Sequence, residues 1–248
     1  MVLAAPVSAQ TIESIEHVRS ARGVDQPFVL VRSTSSDPKR VLILFEGGDG
    51  LLGESESNGV VEIRSRSFTA RIRTLLAQAG LTVILPLPPS DRRAIDFEFR
   101  DTDAHLRDLE AIVRAVEANG AQIHLAGVSN GAVSVSSNAY YFGRRIAGLI
   151  LLAASTDGVV DRLRRPFKVA TLVIHHEQDR CLPFEDTEQL ARGYRVIRVR
   201  ASRANAPDSS DRCGPESAHQ FAGAEDAIAM AISRWITSRK APAEIVVH

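Results

Sequence analysis

Short apolar runs alternate along this chain with longer segments in which apolar residues recur every three or four positions. The runs predict buried strands and the longer segments predict amphipathic helices. Strands that alternate with helices indicate an α/β protein, with a mostly parallel central sheet flanked by helices. The predicted strands cover residues 28–31, 40–45, 81–85, 147–153, 169–174 and 194–199, with a further apolar run before residue 127, and the predicted helices cover residues 67–79, 101–117 and 132–142.

The alternating elements show no internal repeat, and residues 11–240 are expected to form a single domain. Residues 1–10 and residues 241–248 are expected to be an N-terminal and a C-terminal tail. With 248 residues, of which 44% are hydrophobic, the chain is long enough to bury a full core.

The charges of the chain cancel, since 30 Lys and Arg residues face 30 Asp and Glu residues. We therefore expect no long-range field that would attract nucleic acid or an anionic membrane. The three lysines lie outside the Gly-rich stretch and away from the serine motif described below, which argues against a nucleotide site and a Schiff-base lysine. No run of 18 apolar residues exists, so no membrane span is predicted.

Residues 123–131 carry the most informative local pattern, an apolar run that leads directly into Gly-x-Ser-x-Gly. In this arrangement a strand ends in a sharp turn and a helix begins at once, so that the hydroxyl group of Ser129 is exposed at the end of a sheet. A side chain at Gly127 or Gly131 would collide with the strand or with the following helix. Ser129 is therefore the candidate nucleophile.

A serine hydroxyl group is a poor nucleophile at neutral pH, so an imidazole must accept its proton and a carboxylate must orient that imidazole. Asp179 lies in the loop that leaves the predicted strand 169–174. His219 follows the predicted strand 194–199 and a long polar loop, and a helix-like segment comes after it. The order Ser129, Asp179, His219 predicts a catalytic triad at the carboxyl ends of the strands.

On these residues the chain resembles the α/β-hydrolases over about residues 26–238. Residues 41–53 and the two cysteines make it similar to a group of bacterial, apparently exported hydrolases. The resemblance implies the α/β-hydrolase fold and serine hydrolase chemistry. Lid domains of this fold commonly follow the strand after the nucleophile helix, yet only about fifteen residues separate Ala153 from the next predicted strand. We therefore expect a small or absent lid and an open cleft, lined in part by residues 51–60, 86–99 and 155–163.

The Gly-rich stretch 48–53 formally matches the dinucleotide fingerprint Gly-x-Gly-x-x-Gly. A polar, turn-rich stretch with two glutamates follows it at residues 54–59, where a dinucleotide site needs a helix. An oxyanion loop is the better interpretation, in which the N–H group of Gly48 or Asp49 joins that of Asn130. The superfamily often has His-Gly where this chain has Glu46 and Gly47, so the choice between the two amides stays open.

Other polar residues have more ordinary interpretations. His176 is an alternative base and is expected instead to pack behind the site, since it lies three residues before Asp179 on the same loop. Glu185 and Asp186 are alternative acids that are expected to cap a helix. No His has metal-ligand spacing, so neither a metal nor a cofactor is expected. Three further histidines are expected in the core or on the surface: His105, His124 and His175. Five arginines are expected on the surface, and the alternative is that they bind a substrate carboxylate: Arg64, Arg66, Arg92, Arg93 and Arg100.

Residues 4–10 resemble the end of a secretory signal, with small residues at 7–9 placed for cleavage before Gln10. This pattern predicts a signal remnant on an exported protein, periplasmic or secreted, and a flexible tail on a cytoplasmic protein is the alternative. Only two cysteines are present, and in an exported chain they are expected to pair, with two unrelated thiols as the alternative. Cys181 lies two residues after Asp179 and Cys213 six before His219, so a bridge would join the two loops that carry the acid and the base.

The sequence therefore predicts a serine hydrolase that cleaves small-molecule carboxylic esters with short or exposed acyl groups, through an acyl-enzyme. A peptidase or amidase with the same triad is the first alternative. A catalytically silent binding protein on the same fold is the second, because a fold alone does not prove an activity.

Overall fold

The computed structural model describes residues 10–154, 159, 169–201 and 210–247. The strands are β1 (Thr11–Arg19), β2 (Asp25–Ser33), β3 (Asp37–Phe45), β4 (Glu54–Ser57), β5 (Val60–Ile63), β6 (Leu81–Pro86), β7 (Gln122–Val128), β8 (Ile146–Leu152), β9 (Thr171–His176), β10 (Arg195–Ala201) and β11 (Glu244–Val247). The α-helices are α1 (Phe68–Gln78), α2 (Asp103–Glu117), α3 (Gly131–Phe142), α4 (Phe184–Ala191) and α5 (Glu225–Ser238). Short 3₁₀ turns cover Phe99–Asp101, Gly143–Arg145 and Ala218–Gln220.

One sheet organises the molecule, with the strand order β1-β2-β6-β3-β7-β8-β9-β10-β11. All pairs from β6 to β11 are parallel, and β1 and β2 are antiparallel at one edge. This architecture confirms the predicted α/β class and the mostly parallel sheet. Because the carboxyl ends of β3, β7 and β9 lie at the same edge, the loops after them converge there.

Both faces of the central strands are buried, which explains their continuous apolar runs. In β3, Leu42 and Leu44 belong to the core that α1 and α5 cover, whereas Val41, Ile43 and Phe45 belong to the core that α2 and α3 cover. The two sets alternate along the strand, as its two-residue period requires. The sheet is thus held between two helical layers.

Four strands differ from the sequence expectations. β1 was not predicted, because its side chains are mostly half-buried or exposed and lack an apolar run. β11 lies inside the expected C-terminal tail 241–248 and pairs in parallel with β10. The polar stretch 54–59, expected as a turn, contributes to the two-stranded hairpin of β4 and β5. Edge strands and exposed hairpins have at least one polar face, so they lack the signal that marks a buried strand.

Some expectations fall on residues outside the described part of the chain. These are the signal-like residues 4–9, the cleft wall and lid position at 155–168 apart from Val159, and the loop residues 202–209. Among the helices that the structure describes, none is long and apolar enough to cross a bilayer.

Candidate active site

The candidate nucleophile lies in a tight turn between β7 and α3. Ser129 has a positive φ of 52°, and its N–H group donates to the carbonyl of Leu152 at 2.9 Å. A Cβ atom at Gly127 would overlap the carbonyl group of Gly131, and one at Gly131 would lie 2.5 Å from the carbonyl oxygen of Phe45. Neither position therefore has room for a side chain. The strained backbone at Ser129 is typical of a nucleophile elbow.

Asp179 lies in the loop after β9 with its side chain buried. Its Oδ1 accepts the N–H groups of Cys181 at 2.8 Å and Leu182 at 3.0 Å, and its Oδ2 lies 2.8 Å from Nδ1 of His219. Burial opposes ionisation of this carboxyl group, but hydrogen bonds from His175 and His219 outweigh burial and hold its pKa below the ordinary value. Asp179 is thus a charged acceptor that is fixed on both oxygens.

His219 lies in the 3₁₀ turn Ala218–Gln220 and is almost fully buried. Because an ionised carboxylate can only accept, Nδ1 of His219 carries the proton in its bond to Asp179. This tautomer leaves Nε2 as the ring nitrogen that can accept a proton. The turn is fastened to α1, since Gln220 Oε1 accepts the N–H group of Phe68 at 2.7 Å and the rings of Phe68 and Phe221 lie 4.9 Å apart.

Ser129 and His219 line one cavity of about 600 Å³ at the carboxyl edge of the sheet. In the described part of the chain no hydrogen bond joins the Ser129 hydroxyl group to the His219 ring, a bond that is often long before substrate binds. The cavity also contains the three residues named from the sequence as oxyanion donors. Its full lining is Glu46, Gly47, Gly48, Asp49, Leu51, Ser129, Asn130, Cys181, Leu182, Cys213, His219 and Gln220.

The loop after β3 approaches the nucleophile through its backbone. A Cβ atom at Gly47 would lie 3.2 Å from the carbonyl oxygen of Val128 and 3.4 Å from Cβ of Ser129, so a side chain there would be crowded against the end of β7. The N–H group of Gly47 already donates to Oε1 of Glu46 at 2.7 Å. The amides of Gly48 and Asp49 donate to no backbone carbonyl among the described loop contacts. Among the described contacts, the amide of Gly47 thus has an acceptor and the amides of Gly48 and Asp49 have none in the backbone.

Glu46, which stands where the superfamily often has histidine, is a buried structural carboxyl group. Besides Gly47, it accepts the hydroxyl group of Ser67 at 2.5 Å, and Ser67 caps the N-terminus of α1. Burial raises the pKa of Glu46, although these hydrogen bonds and the nearby Arg100 oppose the rise. Glu46 thus joins the loop after β3 to the N-terminus of α1.

Arg100 corrects an expectation, because it was grouped with surface arginines and is 1% exposed. Its guanidinium group contacts the carbonyl oxygens of the loop that contains Glu46 and Gly48, and burial lowers its pKa to about 10. No sequence signal distinguishes it from its neighbours Arg92 and Arg93, since burial of a side chain depends on how distant segments pack.

The other arginines have simpler environments. Arg64 is exposed beside Gly53, Arg66 pairs with Glu216, and Arg92 lies over the ring of Phe99. Arg93 is exposed.

His175 and His176 are the last two residues of β9, just before the loop that carries Asp179. Both are buried, and they differ in role. His175 Nε2 lies 2.9 Å from the carbonyl oxygen of Leu182 and 3.3 Å from Asp179 Oδ2, while its Nδ1 lies 2.8 Å from Thr187 Oγ1. His175 thus supports the acid, a contact that sequence reasoning missed. His176 Nδ1 accepts the N–H group of Gln178, and burial lowers the pKa of His176 to about 4.

The alternative acids and the remaining histidines lie elsewhere. Glu185 and Asp186 are exposed in the first turn of α4. His105 and His124 are buried in the core. Within the part of the chain that the structure describes, no group of three or more His, Cys, Asp and Glu side chains is placed to hold a metal ion.

Cys181 and Cys213 form a disulfide bond, with a Cα–Cα distance of 5.1 Å. The bond confirms the predicted pairing. It joins the loop that carries Asp179 to the segment that leads into His219, and both of its cysteines line the cavity.

Comparison with known proteins identifies the fold. Neither protein-family models nor curated proteins give a match. An esterase domain from Rhodothermus marinus matches with a TM-score of 0.61 and 15% identity over 90% of this chain and 99% of the other. A lidless α/β serine hydrolase from Xanthomonas campestris matches with a TM-score of 0.56 and 16% identity over 93% and 96%. An esterase from Butyrivibrio proteoclasticus matches with a TM-score of 0.58 and 13% identity over 91% and 98%. At these identities the likeness shows a shared fold, the α/β-hydrolase fold.

Proposed function

We propose that this chain, which has the α/β-hydrolase fold, is a serine hydrolase that cleaves carboxylic esters through an acyl-enzyme. The observation that carries the proposal is the 2.8 Å bond between His219 Nδ1 and Asp179 Oδ2 beside the strained Ser129 in one cavity. Serine acyl transfer needs a hydroxyl group, an imidazole and a carboxylate that orients the imidazole. These three groups lie at the carboxyl edge of the sheet.

In the proposed reaction, Nε2 of His219 takes the proton from Ser129 Oγ as that oxygen attacks the ester carbonyl carbon. The amides of Asn130, Gly48 and Asp49 stabilise the negative charge that develops on the carbonyl oxygen. His219 then gives its proton to the leaving alkoxide, and the acyl group stays on Ser129. A water molecule, deprotonated by His219, releases the acid and restores the serine.

The shape of the cavity favours short or exposed acyl groups in this proposal. Its lining has few large apolar side chains, chiefly Leu51 and Leu182, so little surface is present to bind a long acyl chain. The neighbours that are named esterases are in keeping with an ester substrate. The disulfide supports export as part of the proposal, because such bonds persist mainly in oxidising compartments.

Activity towards p-nitrophenyl esters of increasing acyl length, measured beside peptide anilides, tests the proposal. We expect kcat/KM to be highest for acetyl and butyryl esters and lower for palmitoyl esters and for anilides. A serine-reactive phosphonate should label the wild type and not Ser129→Ala, and this variant should lose about 10⁴- to 10⁶-fold in kcat.

Ser137→Ala, on the same helix, is the matched control and should keep full activity and labelling. A wild type that neither hydrolyses these substrates nor accepts the phosphonate would favour the silent binding protein. A preference for the anilides would favour the peptidase.

A further inference from the structure

Arg100 is buried behind the loop of residues 46–50, which we call the oxyanion loop. Its Nη2 donates to the carbonyl oxygens of Glu46 at 2.9 Å and Gly48 at 3.2 Å, and lies 3.5 Å from that of Gly47. Three successive carbonyl groups thus converge on one nitrogen. A buried charge is costly unless several polar groups compensate it, and here the oxyanion loop supplies them.

The direction of these carbonyl groups fixes the direction of the amides that follow them. In a trans peptide the C=O group of one residue and the N–H group of the next point in opposite directions, and the described chain contains no cis peptide. With the carbonyls of Gly47 and Gly48 turned towards Arg100, the N–H groups of Gly48 and Asp49 point away from it. Gly48 and Asp49 both line the cavity with Ser129, whereas Arg100 is absent from its lining.

The same guanidinium group also contacts the helix that carries the nucleophile. Nη1 donates to Oγ of Ser134 in α3 at 3.0 Å, and Nε2 of His105 lies 3.0 Å from the same oxygen. One planar cation therefore links the oxyanion loop to α3, which begins two residues after Ser129. A lysine ammonium group is a single point of contact and cannot span both partners as the guanidinium fork does.

We propose that Arg100 is a positioning residue that holds the oxyanion loop with the amides of Gly48 and Asp49 facing the substrate. Its catalytic consequence rests on the proposed function, whereas its effect on the loop does not. Because removal of one oxyanion donor typically lowers kcat by about 10²- to 10³-fold, loss of the residue that aims two donors should have at least this effect.

The test compares Arg100→Met, Arg100→Lys and the matched control Arg107→Met, which changes an exposed arginine of α2. With a short p-nitrophenyl ester, Arg100→Met should lose about 10²- to 10³-fold in kcat while KM changes less than about threefold. Arg100→Lys should lose less, since an amine can still reach one carbonyl group. Arg107→Met should match the wild type.

A second measurement does not depend on activity. The ¹⁵N order parameters of the Gly48 and Asp49 amides should fall from about 0.85 in the wild type to below about 0.6 in Arg100→Met, with the rest of the sheet unchanged. If Arg100→Met does not fold, the same measurements on Arg100→Lys decide.

Unchanged kcat and rigid loop amides in the folded variant would overturn the proposal. A rise in KM alone would also overturn it, because it would assign Arg100 to ground-state binding. If the wild type shows neither hydrolysis nor phosphonate labelling, the proposed function fails and the order parameters still test the role of Arg100 in the loop.

Discussion

Asp179 performs two tasks through its two oxygens. Oδ1 accepts two backbone amides and so fixes the loop after β9, while Oδ2 faces His219 and His175. The carbonyl oxygen of Leu182 beside His175 Nε2 can only accept, so that nitrogen carries a proton. The Nδ1 of His175 then accepts from the hydroxyl group of Thr187. A chain of contacts thus runs from Thr187 through His175 to the acid.

We expect His175→Phe to lower kcat/KM by about tenfold, because one hydrogen bond to a charged group is lost while the ring still fits against Phe184. The measurement is a double-mutant cycle with Asp179→Asn on ester hydrolysis. If His175 acts through Asp179, its substitution should cost little further activity in the Asp179→Asn background. Thr187→Ser, which keeps the hydroxyl group, is the control. Fully additive losses would contradict the coupling.

At the residue level, the sequence predicts the groups that belong to a local motif or follow a strand in order. Ser129 and Asp179 could be named because each follows an apolar run closely, and His219 because it comes after the next strand and its long loop in the expected order. Parallel strands bring such positions to one edge. Arg100 and His175 could not be named in this way. Their roles depend on burial and on contacts with other segments, which a local sequence pattern does not show. The catalytic roles of the triad stay predictions until activity is measured.

The disulfide is a covalent connection between the loop that carries Asp179 and the segment that leads into His219. It closes a segment with a sequence separation of 32 residues, which contains α4 and β10. In the chain-entropy description, a loop of this length stabilises the fold by about 3 to 4 kcal/mol. Its position beside Asp179 and His219 gives it a second effect, because it limits how far the two loops can separate.

We expect reduction, or the double variant Cys181→Ser/Cys213→Ser, to lower kcat at temperatures below the unfolding transition. The reason is that, without the bond, the distance between His219 and Asp179 varies at temperatures at which the sheet is still folded. Ester hydrolysis and circular dichroism on the same samples separate the two effects, and oxidised wild type is the control. Full activity in the double variant would contradict the coupling, and two free thiols in the denatured, unreduced wild type would exclude the bond in solution.

The elements that sequence reasoning missed share one physical property. β1, β11 and the hairpin of β4 and β5 lie at edges or on the surface, so their burial patterns mix exposed and half-buried positions. The buried strands β6 to β9 were predicted because both of their faces are apolar. What the pattern cannot show is pairing at an edge, which depends on backbone groups present in every residue.

At the scale of the whole molecule, buried histidines link stability to pH. Burial lowers the pKa of His105 to about 3 and those of His124 and His176 to about 4. Unfolded histidine has a pKa of about 6.5, so between about pH 6.5 and 4 the unfolded chain binds more protons than the folded one at these sites. Their contribution to stability is complete above pH 6.5 and is lost as the pH falls. Glu46 has the opposite effect, since burial raises its pKa and the folded state holds its proton more strongly.

We therefore expect the free energy of unfolding to fall between pH 7 and pH 5, with a slope of up to about 1.4 kcal/mol per pH unit for each of the three histidines and an opposing slope from Glu46 alone. Urea unfolding at a series of pH values measures this slope. His124→Leu removes a buried titrating group that packs against Trp235 and should reduce the slope by up to about 1.4 kcal/mol per pH unit, the value for one proton. His105 and His176 are unchanged in this variant and should keep the rest of the slope. A free energy of unfolding that stays constant from pH 7 to pH 5, or an unchanged slope in His124→Leu, would show that buried neutral histidines do not control the acid stability of this fold.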